Sequence, residues 1–199
     1  MTSERGGAAR VAPGRASRVA TAMAIAALAA GCASAPDSGT REYLDEHSAA
    51  TVTVVQPGIT FARDRTDLAV HARDYFTMVP VDVNRMGNHE QYFYCMAWST
   101  IDKRAAPDAA TGQRRFQLVA DGRAIPLAPT SKTLREVGVV EQPVEHLAQA
   151  TDVLLVPTDR DTIHYVAGAS SLRVVLDDAG TTFRYELWSG DPRTLATLP

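Results

Sequence analysis

Histidines, hydroxyls and cysteines could carry chemistry in this chain, but their spacing matches no catalytic or metal-binding pattern. The five histidines are scattered along the sequence, at His47, His71, His89, His146 and His164. No two stand four residues apart, and HExxH, Gly-x-Ser-x-Gly and Ser-x-x-Lys motifs do not occur. Ser99 and Thr100 precede an acid and an amine that could activate a hydroxyl, but ending a strand is the simpler interpretation. We therefore expect no catalytic residue, metal ligand or cofactor.

A run of alternating charges between two predicted strands offers one candidate binding site. It contains Arg63, Asp64, Arg65, Asp67, Arg73 and Asp74. These side chains could form a polar binding rim, for which the candidates are Arg63, Asp64, Arg65, Arg73 and Asp74. They could equally form a solvated loop with surface ion pairs, each of which contributes little to stability. The second interpretation is favoured on this ground.

Cys95 is expected to be buried, because apolar Phe93 and Ala97 share its face of a predicted strand. Burial raises a thiol pKa and blocks access, which argues against a nucleophile. A Cys32–Cys95 disulfide is the alternative if Cys32 is not modified.

Strand signals dominate the rest of the chain. The predicted strands are 51–56, 59–63, 75–85, 91–101, 116–120, 124–127, 152–156, 172–176 and 183–188. Gly87-Asn88, Asp121-Gly122 and Ala179-Gly180 supply hairpin turns. Residues 91–101 are apolar on both faces, which predicts a central strand. His89-Glu90 is expected to be a solvated pair in a turn.

Helices are predicted to be short and peripheral. A helical or turn segment is expected at 41–47, a helix at 159–167 with Thr158 and Asp161 as a capping box, and a terminal turn after Asp191-Pro192. Residues 66–73 fit either a helix or an extension of the next strand. This pattern predicts one mainly-β domain at 41–199, an antiparallel β-sandwich, immunoglobulin-like in general architecture.

The tyrosines and tryptophans fit core positions and sheet faces; they are Tyr75, Tyr92, Tyr94, Trp98, Tyr185 and Trp188. An exposed aromatic strip would instead indicate contact with a partner or a glycan.

The N-terminus has the three parts of a secretory signal peptide. Residues 1–18 carry four arginines against one acid, residues 19–30 are uncharged and mostly apolar, and small residues follow. As a helix the apolar run would span about 18 Å, well short of the roughly 30 Å hydrocarbon core of a bilayer. A cleaved leader is therefore expected rather than a permanent membrane span.

The stretch Leu28-Ala29-Ala30-Gly31-Cys32 resembles the lipobox of bacterial lipoproteins. The resemblance implies that residues 1–31 are removed, that the Cys32 thiol receives a diacylglyceryl group, and that the new amino terminus is acylated. Several acyl chains would hold the protein stably on a bilayer. The alternative is an ordinary signal peptide cut after Ala35, which would discard the cysteine.

The same resemblance indicates an address. Ala33 after the cysteine implies the outer membrane, with the domain facing the periplasm, and residues 32–40 would be the lipidated cysteine and a flexible linker. The segments REYLDEHSAATVTVV, VDVNRMG and AWSTID resemble uncharacterised proteobacterial lipoproteins. That similarity implies the same location and no particular activity.

Charge restricts the partners. Residues 1–31 carry +3 and the whole chain −3, which leaves −6 on the other 168 residues. A net negative domain argues against binding nucleic acid or anionic lipid. The leading hypothesis is a non-enzymatic interaction or accessory module whose partner is another envelope protein. The alternatives are a binder of a small ligand or lipid between the sheets and, less favoured, an envelope hydrolase.

Overall fold

The computed structural model describes residues 39–100, 114–140, 142–144 and 150–199 of the chain. These residues form ten β-strands, an α-helix and a 3-10 helix. In chain order the elements are β1 (Gly39–Asp45), β2 (Ala50–Gln56), β3 (Ile59–Asp64), β4 (Arg73–Arg85), β5 (Asn88–Ser99), β6 (Arg115–Ala120), β7 (Arg123–Pro126), β8 (Ala150–Thr158), α1 (Arg160–Gly168), β9 (Leu172–Asp178), β10 (Thr181–Ser189) and η1 (Pro192–Thr197).

The long hairpin of β4 and β5 is the centre of the sheet. β5 lies between β4 and β8, which confirms the predicted central strand. The other edge of β4 is shared, because β3 pairs with its first half and β2 with its second half. From β3 the sheet continues through β10, β9 and β6 to β7, and from β2 it continues to β1.

Gly58 makes the shared edge possible at the corner where β2 turns into β3. A Cβ atom at this position would lie 2.5 Å from the carbonyl oxygen of Met78 and 2.5 Å from a methyl group of Val79. Only a residue without a side chain lets the corner approach β4 this closely.

The predicted mainly-β class, with antiparallel strands and short helices, is confirmed. All ten strands are linked by hydrogen bonds into one sheet. The finer assignment to a two-layered, immunoglobulin-like sandwich stays a prediction.

The sheet buries a different apolar cluster on each face. The inner cluster collects side chains from β3, β4, β5, β6, β8, β9 and β10, with Ile163 and Val166 of α1 and Leu195 of η1 packed into it. The outer cluster lies on the part of the sheet near β2, where Val137 and Val139 of the 130–140 segment pack on valines and tyrosines of β2, β4 and β5. One face is therefore filled along its length, whereas the described residues cover only part of the other.

Hairpin turns lie where the sequence predicts them, with one shift. Between β4 and β5 the residues with positive φ are Met86 and Gly87, at 52° and 87°. The prediction assigned this role to Gly87-Asn88 and was wrong by one residue, because Asn88 already pairs with Arg85. Asn84 explains the shift, since its side chain accepts a hydrogen bond from the Gly87 N–H at 2.9 Å.

The helical or turn segment predicted at 41–47 is wrong. Residues 39–45 form β1, paired along their full length with β2. The edge of β2 offers a complete set of backbone hydrogen bonds, and these outweigh the weak helix propensity of a short polar segment.

Two other local predictions also need correction. Asp159, rather than Thr158, caps α1, and its carboxylate accepts the Thr162 N–H at 2.7 Å. Residues 65–72 are neither helix nor strand but a turn-rich loop between β3 and β4. The turn predicted after Asp191-Pro192 is confirmed as η1.

Candidate functional site

The predicted rim residues meet at one end of the sheet, which we call the rim end. There β3, β5 and β9 finish and β4, β6, β8 and β10 begin, whereas α1 and η1 lie at the opposite end. Arg63 is the direct cross-strand partner of Asp74, and Asp64 is the partner of Arg73. The alternating charges, which could equally have formed a solvated loop, therefore follow from the register of two antiparallel strands.

Asp74 is the centre of the inward-facing half of the rim. It accepts hydrogen bonds from Arg63 Nη2 at 3.2 Å and from Arg65 Nη1 at 2.9 Å. Its side chain is only 7% exposed, and both arginines are mostly buried. The Arg63 guanidinium also stacks over the Phe183 ring at 4.0 Å. This half of the rim is not a solvated loop, so removing one partner would leave a charge poorly hydrated.

The outward-facing half is organised by Arg73. Its Nε donates to Asp64 Oδ1 at 2.7 Å, and its guanidinium lies 4.1 Å from the centre of the Trp188 ring. The hydrogen bond to Asp64 and a second one to Tyr75 raise the pKa of Arg73. This cation is held between a carboxylate and two aromatic side chains.

Sequence reasoning missed a second set of charges at the same end. Arg114 donates to Asp178 at 3.1 Å and also bonds to Asp152, and it thereby joins β9 to β8. These partners are 64 and 38 residues away along the chain, so no local pattern could reveal them.

Tyr185 connects the two sets of charges. Its ring is buried, and burial together with nearby Asp74 raises the pKa of its hydroxyl to about 12. The Arg63 guanidinium lies 5.8 Å from the centre of the Tyr185 ring, and positive charge from Arg63, Arg65 and Arg114 opposes that rise. Each of these arginines is bonded to at least one aspartate, so the cluster offers an anion little uncommitted positive charge. The rim end therefore acts as a polar closure of the inner core.

The aromatic residues divide into two groups. Tyr92, Tyr94 and Tyr185 are buried, as core positions predict. Tyr75 and Trp98 instead stack on the outer side of β4 and β5, with ring centres 4.2 Å apart and planes 13° from parallel.

Threonines and an exposed tryptophan extend this surface. Trp98 Nε1 donates to Thr77 Oγ1 at 3.1 Å, and the hydroxyls of Thr77 and Thr60 share a further hydrogen bond of 3.1 Å. Trp188 is 55% exposed, and Val153 on β8 is also exposed. We call this surface the outer aromatic face; its members are Thr60, Arg73, Tyr75, Thr77, Trp98, Val153 and Trp188.

The hydroxyl groups considered as nucleophiles hold a strand in place. Ser99 Oγ and Thr100 Oγ1 both donate to the carbonyl oxygen of Arg73, at 3.3 and 3.2 Å. The acid and the amine that could have activated these hydroxyls, Asp102 and Lys103, lie outside the described residues. Cys95 is buried with a free thiol, and burial raises the pKa of that thiol, as the sequence predicts.

His47 and His89 lie near two different aspartates rather than in a common site. His89 was predicted to lie in a turn but belongs to β5, where its Nδ1 is 2.8 Å from the buried carboxylate of Asp82. His47 Nδ1 is 3.8 Å from Asp45, and His146 lies outside the described residues. In the part of the chain that the structure describes, no three His, Cys, Asp or Glu side chains are grouped to hold a metal ion.

Cys32 and the predicted leader also lie outside the described residues. Across residues 39–100, 114–140, 142–144 and 150–199, no helix has the length and apolar character needed to span a bilayer. Comparison with protein-family models, with curated proteins and with solved structures finds no match to this chain.

Proposed function

We propose that this protein is a lipid-anchored component of the bacterial cell envelope, held at the outer membrane through Cys32 and facing the periplasm. The folded part acts as a non-enzymatic interaction module that binds another envelope protein. The outer aromatic face carries the proposal, because the lipobox-like sequence supports only the address.

The composition of this face is typical of a protein-binding surface. Tryptophan, tyrosine and arginine are the residues that most often contribute large shares of binding energy at interfaces. Here Trp188, Arg73, Tyr75 and Trp98 follow one another across the outer side of the sheet. Leaving an indole ring such as that of Trp188 in water is unfavourable, so covering it with a partner is a source of affinity.

Contacts within the sheet already hold several side chains of this face in place before any partner arrives. Asp64 fixes Arg73, and the Tyr75–Trp98 stack is held by the hydrogen bond to Thr77. All of these residues lie on paired strands rather than on loops. Binding would therefore order few side chains, which lowers its entropic cost.

Site-specific cross-linking in cells tests the interaction. A photoreactive amino acid replaces Trp188, and a matched variant carries it at Met86, which is fully exposed at the far end of β4. We expect a discrete cross-linked envelope protein from position 188 and none from position 86. Equal products from both positions, or none from position 188, would contradict the proposal.

Fractionation tests the address separately. The Cys32→Ser variant should keep the size of the precursor and disappear from the outer-membrane fraction, because the thiol that receives the lipid is missing. A variant that is processed and stays membrane-bound like the wild type would show that Cys32 is not the anchor.

A further inference from the structure

A row of polar side chains crosses the inner face of the sheet, towards the end opposite the rim end. Cross-strand pairing brings together one residue each from β1, β2, β4 and β5, namely Glu42, Thr53, Asp82 and Gln91. Phe93, two positions from Gln91, belongs to the inner cluster, and side chains two apart on a strand share a face. We call these four residues the inner polar row.

Asp82 is deeply buried in this row and is only 1% exposed. Its Oδ2 atom lies 2.8 Å from Nδ1 of His89, whereas Oδ1 has no hydrogen-bond partner among the residues that the structure describes. The two oxygens of a carboxylate diverge, so Oδ1 points away from His89 on β5, to the side of β2 and Thr53. A buried carboxylate oxygen without a donor is costly, and it therefore calls for a ligand that supplies positive charge.

A second carboxylate approaches the same threonine from the other strand. Thr53 is 5% exposed, and its hydroxyl donates to Glu42 Oε2 at 3.5 Å, which is the long limit of a hydrogen bond. Within the described ranges, neither Glu42 nor Asp82 forms an ion pair with an arginine or a lysine, and Asp82 contacts only His89. The buried Asp74 of the rim end, in contrast, has two arginines. The inner polar row thus holds two acids that no basic side chain of this part of the chain neutralises.

The oxygen atoms of the row match the ligands of a calcium ion. Ca²⁺ is bound by carboxylate, amide and hydroxyl oxygens together with water, and it tolerates irregular geometry. The row offers two carboxylates, the Thr53 hydroxyl and the Gln91 amide, and the exposed side of Glu42 leaves access for water. No spacing in the sequence indicates this set, since its members lie on four strands.

We propose that the inner polar row binds a Ca²⁺ ion, with Asp82 Oδ1 as its central ligand and Glu42 as the second carboxylate. His89 is a positioning residue, because it holds the other oxygen of Asp82. The site has two carboxylates rather than the larger number of a tight calcium site. We therefore expect a dissociation constant of about 10⁻⁴–10⁻³ M, the range of extracellular calcium modules.

Thermal unfolding of the purified full chain, followed by circular dichroism, tests the site. The protein is stripped of metal with EGTA and then titrated with CaCl₂ or MgCl₂. Asp82→Asn removes the central charge and keeps the size of the side chain. Asp45→Asn is the matched control, because Asp45 is also buried but its carboxylate accepts the His47 N–H and the Ser48 hydroxyl. Glu42→Gln changes an exposed residue, so it tests the site even if Asp82→Asn does not fold.

We expect millimolar Ca²⁺ to raise the unfolding temperature of the wild type and of Asp45→Asn by several degrees, because an ion that binds only the folded chain stabilises it. Asp82→Asn should show no such shift and, in EGTA, should be no less stable than the wild type. Glu42→Gln should weaken the apparent affinity for Ca²⁺ severalfold.

A wild type that does not respond to Ca²⁺, or a response that Asp82→Asn or Glu42→Gln retains in full, would overturn the site. So would an Asp82→Asn variant that loses the same stability in Ca²⁺ and in EGTA, because Asp82 would then only hold His89. An equal response to Mg²⁺ would overturn the choice of calcium.

Discussion

Replacing Asp74 with alanine tests whether the charges of the rim end stabilise the fold by closing the core or are only solvated surface ion pairs. Asp74 is the common acceptor for Arg63 and Arg65 and is 7% exposed. Removing one partner from a buried ion pair costs about 3–5 kcal/mol, because the other charge stays poorly hydrated. We take the lower end, about 3 kcal/mol, since both arginines retain some contact with water and Arg65 keeps Asp67.

Asp67→Ala is the matched control for this variant. Asp67 also bonds to Arg65 but is 62% exposed, so its removal should cost far less than removal of Asp74. With a urea dependence near 2 kcal/mol per molar, the unfolding midpoint should fall by about 1.5 M for Asp74→Ala and by much less for Asp67→Ala.

Equilibrium urea unfolding, followed by tryptophan fluorescence, measures both shifts. Adding Arg63→Leu to Asp74→Ala should recover part of the loss, because the arginine left without its carboxylate is then also removed. Equal midpoints for Asp74→Ala and Asp67→Ala would refute the reasoning. So would a double variant whose losses simply add.

Three further predictions concern the fold. Gly58→Ala should lower the free energy of unfolding by more than about 1 kcal/mol, since the new Cβ would overlap Met78. Gly39→Ala is the control and should change that free energy little, because no atom lies within 4 Å of its Cβ position. Urea unfolding of both variants measures the difference. Asp159→Ala should lower the free energy of unfolding by about 1 kcal/mol, because α1 loses its N-terminal cap. A decrease of less than a few tenths of a kcal/mol would contradict this prediction. Burial raises the pKa of Cys95 above its ordinary value of 9.0, so the unfolded chain releases this proton first and stability falls as pH rises past about 9. Urea midpoints between about pH 8 and 10 should decline less steeply in Cys95→Ala than in the wild type. Identical slopes would show that Cys95 does not cause the loss of stability at high pH.

The sequence predicts the features that depend on neighbouring residues. Positive-φ turns at Gly87, Gly122 and Gly180 separate the strands, and the two apolar faces of β5 indicate a strand covered on both sides. These features are local because each requires only a few consecutive residues with defined conformational preferences. The failure at β1 has the opposite cause, since its conformation comes from pairing with β2 rather than from its own propensities.

The candidate site is only half visible in the sequence for the same reason. Asp64 and Arg73 lie on consecutive strands, so their nearness follows from a simple hairpin-like pairing. Arg114 reaches the same end of the sheet through pairing of β6 with β9, and its aspartates come from strands that follow much later. Which aromatic rings stay exposed also depends on where the 130–140 segment packs, and the periodicity of the strands does not reveal this.

The anchor at Cys32 is the claim on which the proposed location depends. Intact-mass and peptide mass spectrometry of the protein purified from its native membrane tests it most directly. The proposal predicts a chain that begins at residue 32, with a diacylglyceryl group on the sulfur and an acylated amino terminus. A chain that begins after this residue, or an unmodified thiol at position 32, would contradict it.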